Sequence, residues 1–140
     1  MSRTHTAWLK AQVETIPALA SKTFVGIIPE QMKVAPPYVV IHPSSGTNTA
    51  TRASSGRFTK NPRWIIHSVG VTADQAALIG EKVGEVLVPG GVGVGVTPVI
   101  SGELPDPIWW NSPAAIQVDK ELVPWVIFHV AECGFSSYPA

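Results

Sequence analysis

The sequence predicts an α+β fold in which a mostly antiparallel β-sheet is packed by two α-helices. Apolar residues recur at helical spacing near the N-terminus and again after residue 72. Between and after these segments, β-branched and aromatic residues form short runs that end at Pro, Gly or polar residues. The predicted element order is α-β-β-β-α-β-β, which is typical of helices placed against one sheet.

The chain length predicts one domain that spans residues 1–140. A chain of this size buries about two-thirds of the surface that it exposes when unfolded, which is enough for an ordinary core. The lone cysteine, Cys133, excludes an internal disulfide framework and is typical of a reducing compartment. No apolar run approaches the ~20 residues of a membrane span, and the first residues lack the apolar segment of a secretory signal. We therefore expect no membrane partner.

The N-terminal segment predicts a short amphipathic helix. Ser2 or Thr4 is the expected N-cap, and the helix should end before Pro17 or kink there. A β-rich segment over residues 23–28 follows and stops at a proline. The apolar positions with helical spacing are Trp8, Leu9, Val13 and Ile16.

A long hairpin is the most informative feature of the chain. Residues 37–42 and 63–71 have the composition of paired strands, and residues 43–62 between them predict a flexible loop. Hairpins usually close in about two to five residues, and longer loops tend to be functional or mobile. The loop contains no acidic residue, so we expect it to contact an acidic surface of a neighbouring subunit or a nucleic acid. Its basic residues are Arg52, Arg57 and Lys60, and Arg63 follows directly after it.

The second helix has the clearest local signals. Thr72 and Gln75 have the spacing of a capping box, and Asp74 lies favourably in the first turn. The helix should stop at the Pro-Gly-Gly that begins at residue 89. Its predicted apolar stripe is Ala76, Ile79, Val83, Val86 and Leu87. Small residues recur at every fourth position, which predicts a close approach to the sheet; they are Ala76, Gly80 and Gly84.

The second half of the chain predicts two more strands, over residues 94–101 and 123–131. Between them, residues 102–115 are rich in proline and predict an irregular segment that contains Trp109 and Trp110. Adjacent side chains of an extended backbone point in opposite directions, so at least one of these tryptophans should lie at a surface or interface. Residues 133–140 form a short C-terminal tail.

The charges divide unevenly along the chain. Residues 1–63 carry eight basic and two acidic side chains, whereas residues 64–140 carry two basic and eight acidic ones. Either folding brings the two halves together and removes the asymmetry, or repeated subunits use complementary faces to fix their register. A head-to-tail contact of the second kind can close into a ring. Glu81 and Glu85 are candidate interface residues for such a contact, together with Trp109 and Trp110.

The residues that could carry chemistry give a weak signal. His42, His67 and His129 lie in predicted strands and would form a metal trio only if the strands brought them together, with Cys133 on the same strand face as His129. Histidines that bond locally or face solvent are the alternative that we favour. No nucleophile elbow or phosphate-binding loop is present. We therefore expect no enzyme activity, no metal and no cofactor.

Nucleic-acid binding is a second hypothesis. The four basic residues between positions 52 and 63, with Phe58 and Trp64 nearby, could contact phosphates and stack on bases. The chain is nevertheless neutral overall, and sequence-specific readers usually present a basic face. A loop that lines a DNA-conducting pore needs only local basic character.

The arrangement resembles the small tail terminator proteins of long-tailed bacteriophages and the related tail-completion and neck proteins. The resemblance covers nearly the whole chain and lies in element order and size. It rests on the N-terminal helix, the Pro36–Val40 strand before the polar hairpin, the capped helix that begins Val71-Thr72-Ala73-Asp74, the Pro/Trp-rich segment, and the final strand Val123–Val130.

The resemblance implies a non-enzymatic virion assembly protein. Members of this family form a ring, usually a hexamer, that caps the head-proximal end of the tail tube and stops tail polymerisation. The expected partners are other copies of the chain, the tail tube protein, the head–tail connector protein and, without sequence readout, DNA in the lumen. The expected location is the head-proximal end of the virion tail, after assembly in the host cytoplasm. A sibling connector or neck protein of the same fold and a DNA-binding module are the alternatives.

Overall fold

A computed structural model describes residues 3–26, 35–50, 58–89, 95–111, 117–119 and 126–139. These residues form two α-helices, one 3₁₀ turn and eight β-strands. The helices are α1 (Arg3–Glu14) and α2 (Ala73–Leu87), and the 3₁₀ turn is Pro17–Leu19. The strands are β1 (Thr23–Val25), β2 (Tyr38–Ala50), β3 (Phe58–Gly70), β4 (Glu103–Pro105), β5 (Trp109–Asn111), β6 (Gln117–Asp119), β7 (Val126–Gly134) and β8 (Ser137–Pro139).

The predicted fold class is confirmed. The strands form one sheet in the order β1-β2-β3-β7-β5, in which β6 also pairs with β7, and β8 pairs with both β3 and β4. The pairing of β1 with β2 is parallel, and every other pairing between described strands is antiparallel. No described helix is long and apolar enough to cross a membrane.

The predicted order holds through α2, but the prediction of a long polar loop over residues 43–62 is wrong. Strands β2 and β3 continue through both ends of this segment, and Asn48 pairs with Lys60 after a register shift between Ser44 and Thr47. Ladder hydrogen bonds join backbone groups, and a β-branched residue such as Thr suits an extended strand. Polar side chains therefore did not end the strands, and residues 51–57 between β2 and β3 lie outside the described residues.

Of the two strands predicted after α2, the one over residues 123–131 is confirmed by β7 from Val126 onward, and residues 123–125 lie outside the described residues. The prediction of a strand over residues 94–101 is wrong, and the described part of the chain contains four further strands after α2. Residues 95–100 are not a strand. The Val96 amide bonds to the Leu87 carbonyl at the end of α2, while the Val96 carbonyl accepts from the Ile108 amide. This segment therefore caps a helix instead of pairing along a neighbour, and Pro98 lacks an amide donor for a ladder. The segment predicted to be irregular contains β4 and β5.

Helix α1 ends where the proline predicts, because Glu14 is its last residue and Pro17 begins the 3₁₀ turn. Its apolar side packs on the sheet through Leu9 and Val13, which are fully buried. Thr4 lies inside the first turn of the helix, so its predicted role as N-cap is wrong; Ser2 is outside the described residues. The Trp64 indole donates to the Thr6 hydroxyl at 3.1 Å and ties the helix to β3.

Helix α2 begins with the predicted cap. The Gln75 amide donates to the Thr72 hydroxyl at 3.1 Å, which satisfies one of the amides left open at a helix start. The Gln75 side chain completes the motif by accepting from the Val71 amide at 2.7 Å. Both bonds are local, so the sequence was sufficient to predict them.

The main core lies between the helices and one face of the sheet. The antiparallel register places alternate residues of β2, β3 and β7 on this face. The predicted α2 stripe is confirmed, with Val86 only partly buried. The opposite face carries a smaller cluster of Tyr38, Val40 and Val69, with Phe24 and Phe128 against it. The sheet and helix members of the main core include Val39, Ile41, Trp64, Ile66, Ile79, Val83, Leu87 and Cys133.

Two glycines allow α2 to lie directly on the sheet, as their spacing predicts. A Cβ atom on Gly80 would lie 2.8 Å from Cγ of His129, and one on Gly84 would lie 3.1 Å from the indole nitrogen of Trp110. Normal Cβ contacts are longer, so the rings of β7 and β5 occupy the space where larger residues would project. The small side of α2 therefore fixes the distance between helix and sheet.

We expect Gly80→Ala to destabilise the fold, although alanine favours a helix by about 1 kcal/mol over glycine. The added methyl group must displace the His129 ring, and such overpacking costs about 1–3 kcal/mol. Urea unfolding of Gly80→Ala, His129→Ala and the double variant measures the coupling. In the His129→Ala background the same change should be neutral or stabilising. An equal effect in both backgrounds would contradict the close contact.

Candidate interface surfaces

Two of the four basic residues predicted for the hairpin loop lie on strand β3, and both contact acids of the same chain. Lys60 Nζ is 3.8 Å from Glu103 Oε2, and Arg63 Nη2 is 3.6 Å from Glu132 Oε1. Folding therefore brings part of the basic half against the acidic half. The side chains of Lys60 and Arg63 are still 50% and 51% exposed, so each pair contributes little to stability. Arg52 and Arg57 lie outside the described residues.

Arg63 also contacts the exposed tryptophan of the predicted pair. Its guanidinium carbon lies 5.5 Å from the centre of the Trp109 ring, within the range of a cation–π contact. Beneath the ring lies Gly134, where a Cβ atom would be only 2.9 Å from the indole. The glycine and the arginine together fix the orientation of a tryptophan that remains 40% exposed. Trp and Arg are the residue types most enriched at binding hot spots.

The other tryptophan of the pair has a different environment. Trp110 is partly buried, packs against the main core and lies over Gly84 of α2. The expectation that at least one of the pair lies at the surface is therefore confirmed, with Trp109 as the exposed member. In the described structure, Trp110 connects β5 to the helix.

The outer side of α2 presents the two glutamates that the sequence singled out. Glu81 and Glu85 are exposed, and Asp74 and Leu78 lie on the same side of the helix. Leu78 is 49% exposed. Burial lowers the pKa of His129. The negative charge of Glu81 raises this pKa by a smaller amount, so the net pKa of His129 is lowered.

A further exposed apolar group lies where β4 pairs with β8, and the sequence analysis did not identify it. Leu104 and Tyr138 are directly opposite each other and are 62% and 40% exposed. The Tyr138 hydroxyl donates to Asp106 at 3.1 Å, and this hydrogen bond raises the pKa of Tyr138. The contact is formed only by folding, because the residues that meet are more than 30 positions apart.

A polar cluster that the sequence did not reveal joins α1 to β4 and β8. Glu103 Oε1 lies 2.9 Å from Nε2 of buried His5 and accepts a 2.7 Å hydrogen bond from the Ser137 hydroxyl. His5 and Glu103 are 98 residues apart, so no local pattern could have identified the pair. The cluster fixes the N-terminal helix to the far end of the sheet.

The contacts of this cluster favour the ionised form of the Glu103 carboxyl group. Burial raises the pKa of Glu103, but the hydrogen bonds from Ser137 and His5 and the nearby charges of His5 and Lys60 outweigh it, so the pKa is lowered. An ionised carboxylate with a low pKa is a weak base. His5 Nε2 and the Ser137 hydroxyl both approach Oε1 of Glu103, so the serine donates its proton to the carboxylate and not to the histidine.

The three strand histidines do not converge. His42 and His67 lie diagonally on one face of the sheet with ring centres 4.5 Å apart, and Phe128 stacks on His67 at 4.7 Å. Burial and the neighbouring His42 lower the pKa of His67. His129 pairs with Ser68 and lies on the opposite face, beneath α2. Within the described part of the chain, no three metal-ligating side chains meet, so the metal-trio alternative has no support in the geometry.

Cys133 shares the helix-side face with His129, as predicted from their spacing, and is fully buried. Burial and the charge of Glu132 raise the pKa of its thiol well above the usual range. Reactive cysteines have the opposite environment, with partial exposure and nearby positive charge. The thiol is therefore a core group.

We expect Glu103→Gln to be less stable than the wild type at pH 7 by about 1–3 kcal/mol, because charged hydrogen bonds to Ser137 and His5 are weakened. A lowered carboxylate pKa stabilises the fold above the unfolded value, near 4.5, and this contribution is lost as pH falls through the folded value. The difference between the two proteins should therefore shrink below pH 4.5. Urea unfolding from pH 3 to pH 8 measures it.

Glu14→Gln is the matched control, because Glu14 forms a partly exposed i,i+4 pair with Lys10. Its effect should stay below about 0.5 kcal/mol at every pH. A constant difference between wild type and Glu103→Gln down to pH 3 would show that the carboxylate charge does not stabilise the cluster.

The comparisons with known proteins concern the fold. No protein-family model matches the chain, and no curated protein matches it. Among solved structures, the fold is similar to that of a chain in the virion of a native gene transfer agent particle, with a TM-score of 0.62 and 15% sequence identity. The match covers 97% of this chain and 99% of that one. The two chains therefore share an overall fold.

Proposed function

We propose that this chain is a structural virion protein of the long-tailed phage type. The observation that carries the proposal is the fold, which coincides over nearly its full length with that of a chain in a virion particle. A fold by itself does not determine a function, so the surface of the chain must also suit assembly. The proposal includes the absence of enzymatic activity.

Within the virion, the proposed role is that of a tail terminator. Copies of the chain form a ring, hexameric as in the family that the sequence resembles, at the head-proximal end of the tail tube. The ring stops tube polymerisation and offers a surface to the head–tail connector. Its partners are other copies of itself, the tube protein, the connector protein and DNA that passes through the lumen.

The exposed surface supports a role in protein contacts. Trp109 is held by Gly134 and Arg63 in one orientation while much of its ring faces solvent. A preorganised tryptophan loses little side-chain entropy when a partner covers it. The Leu104–Tyr138 pair adds a second exposed apolar group on a short sheet edge. These features suit contacts to neighbouring virion proteins.

The sibling role of a head–tail connector or neck protein is supported by the same fold observation. A DNA-binding module is less well supported, because Lys60 and Arg63 already contact carboxylates of their own chain. Those contacts reduce the positive charge available for phosphates, which is the source of non-specific affinity.

The decisive experiment adds the purified chain to its polymerising tail tube protein. We expect tubes to stop lengthening, with the added chain found by electron microscopy at one end only. A ring that forms in solution would appear in light scattering as a discrete species of about six times 14.9 kDa.

Continued growth at an unchanged rate would contradict the terminator role. Binding to purified connectors without any effect on tube length would favour the neck role instead. Steeply salt-dependent binding of duplex DNA by the isolated chain would favour the nucleic-acid role.

A further inference from the structure

Two histidines meet on the sheet face opposite the helices, at a place that the proposed virion role does not use. His42 lies on β2 and His67 on β3, and the centres of their rings are 4.5 Å apart. They are diagonal neighbours across the antiparallel ladder, because His42 pairs with Ile65 and His67 pairs with Val40. Both side chains are partly exposed. Protons from the solvent can therefore reach two imidazole rings that lie side by side.

The surroundings of the pair oppose a second positive charge. Phe128 of β7 stacks on His67 with ring centres 4.7 Å apart, and it also packs against the apolar cluster of this face. These apolar groups exclude water from part of the imidazole ring. Partial burial and the neighbouring His42 both lower the pKa of His67. Two unit charges at this separation repel each other even at the dielectric constant of water.

The described charged groups on this face do not neutralise a doubly protonated pair. Arg63 and Glu132 are the nearest of them by register, and they pair with each other at 3.6 Å. Burial raises the pKa of Tyr38, so its hydroxyl group stays neutral. Strand β1 adds only an apolar ring, Phe24, to this face. Among the described residues, no ion pair within 4.0 Å includes either histidine.

The pair lies close to the point where the regular pairing of the two strands ends. The register of β2 against β3 shifts between Ser44 and Thr47, two residues after His42. A register shift interrupts the ladder of backbone hydrogen bonds. Local opening starts where the backbone is least well paired, so the strands can separate here more easily than at the centre of the sheet. Repulsion between the two rings acts across these same strands.

We propose that His42 and His67 form an acid-sensitive switch, in which protonation of both rings weakens the pairing of β2 with β3 next to the register shift. The neutral rings pack together and leave the ladder intact. Two protonated rings repel each other across the strands, so the hairpin loosens at this point. The switch is a property of the single chain and does not depend on the proposed ring.

The direction of the pH dependence follows from the lowered pKa of His67. The unfolded value is near 6.5, and the folded value lies below it. Stability that is present above the unfolded value is therefore lost as the pH falls below it towards the folded value. Exposed carboxyl groups titrate at lower pH, so the range from pH 7.5 to pH 5.0 reports mainly on histidines.

A double-mutant cycle on the full chain tests the switch. Glutamine keeps a polar side chain and cannot be protonated in this range, so the variants are His42→Gln, His67→Gln and both together. From pH 7.5 to pH 5.0, the coupling between the two positions should become unfavourable by about threefold or more in the unfolding equilibrium constant. Urea unfolding followed by circular dichroism measures it. A coupling that stays the same at both pH values would overturn the inference.

The cycle separates this pair from the other histidines of the chain. His5 and His129 are present in all four proteins, so their contributions cancel.

An NMR titration of the imidazole protons measures each ring directly. The pKa of His67 should rise in His42→Gln, because the neighbouring positive charge is removed. His129 is the internal control, since it lies on the opposite face beneath α2 and its pKa should be equal in both proteins. An unchanged pKa of His67 would overturn the inference. A pKa of His67 above 6.5 in the wild type would also overturn it, because the Phe128 ring would then favour the charged form. This measurement decides the question even if His67→Gln does not fold.

Hydrogen exchange shows where the chain responds to acid. From pH 7.5 to pH 5.0, the amides of residues 39–42 and 65–68 should lose protection by about threefold or more relative to those of α2, after correction for intrinsic rates. The difference should disappear in the variant with both glutamines. An equal loss of protection in the strands and in α2 would show that acid acts on the whole fold, and it would overturn a local switch.

Discussion

Strand β3 is the element on which the rest of the structure depends. It pairs with β2 on one side and with β7 and β8 on the other, so its register sets the positions of three neighbours. Its alternate side chains serve both faces, with Trp64 and Ile66 under the helices and His67 on the opposite face. Because β7 in turn carries β5, the exposed position of Trp109 follows from this register. A slip of one residue would exchange the two faces completely.

Some of the charged side chains form ion pairs within the subunit, and others remain exposed on its surface. Glu103 and Glu132 approach basic residues of β3 and, for Glu103, a buried histidine of α1. These contacts join segments far apart in sequence and cancel part of the asymmetry between the two halves of the chain. The carboxylates on the outer side of α2 have no such partners among the described residues. Because Asp74, Glu81 and Glu85 are exposed, the negative charge that remains unpaired lies on the outer surface of α2.

Features that depend on neighbouring residues were predictable from the sequence. The Thr72 cap, the C-terminal ends of α1 and α2 and the close approach at Gly80 follow from short-range rules of propensity and size. The predicted strands of the hairpin were too short, because the polar side chains of residues 43–62 indicated a loop. The hydrogen bonds between β2 and β3 join backbone groups and do not depend on those side chains. Residues 94–101 were wrongly predicted to be a strand, because the Val96 amide bonds to the end of α2 and not to a neighbouring strand. The cluster of His5, Glu103 and Ser137 had no sequence signal, as only the fold brings these residues together.

The position of Cys133 has a consequence for the durability of any assembly that contains this chain. The thiol lies in the core beside Trp64, and burial keeps it protonated. A particle that leaves a reducing cell enters an oxidising medium, where exposed thiols form disulfides through their thiolates. In the virion role proposed above, the burial of its single thiol would let the subunit make that passage without disulfide links through Cys133.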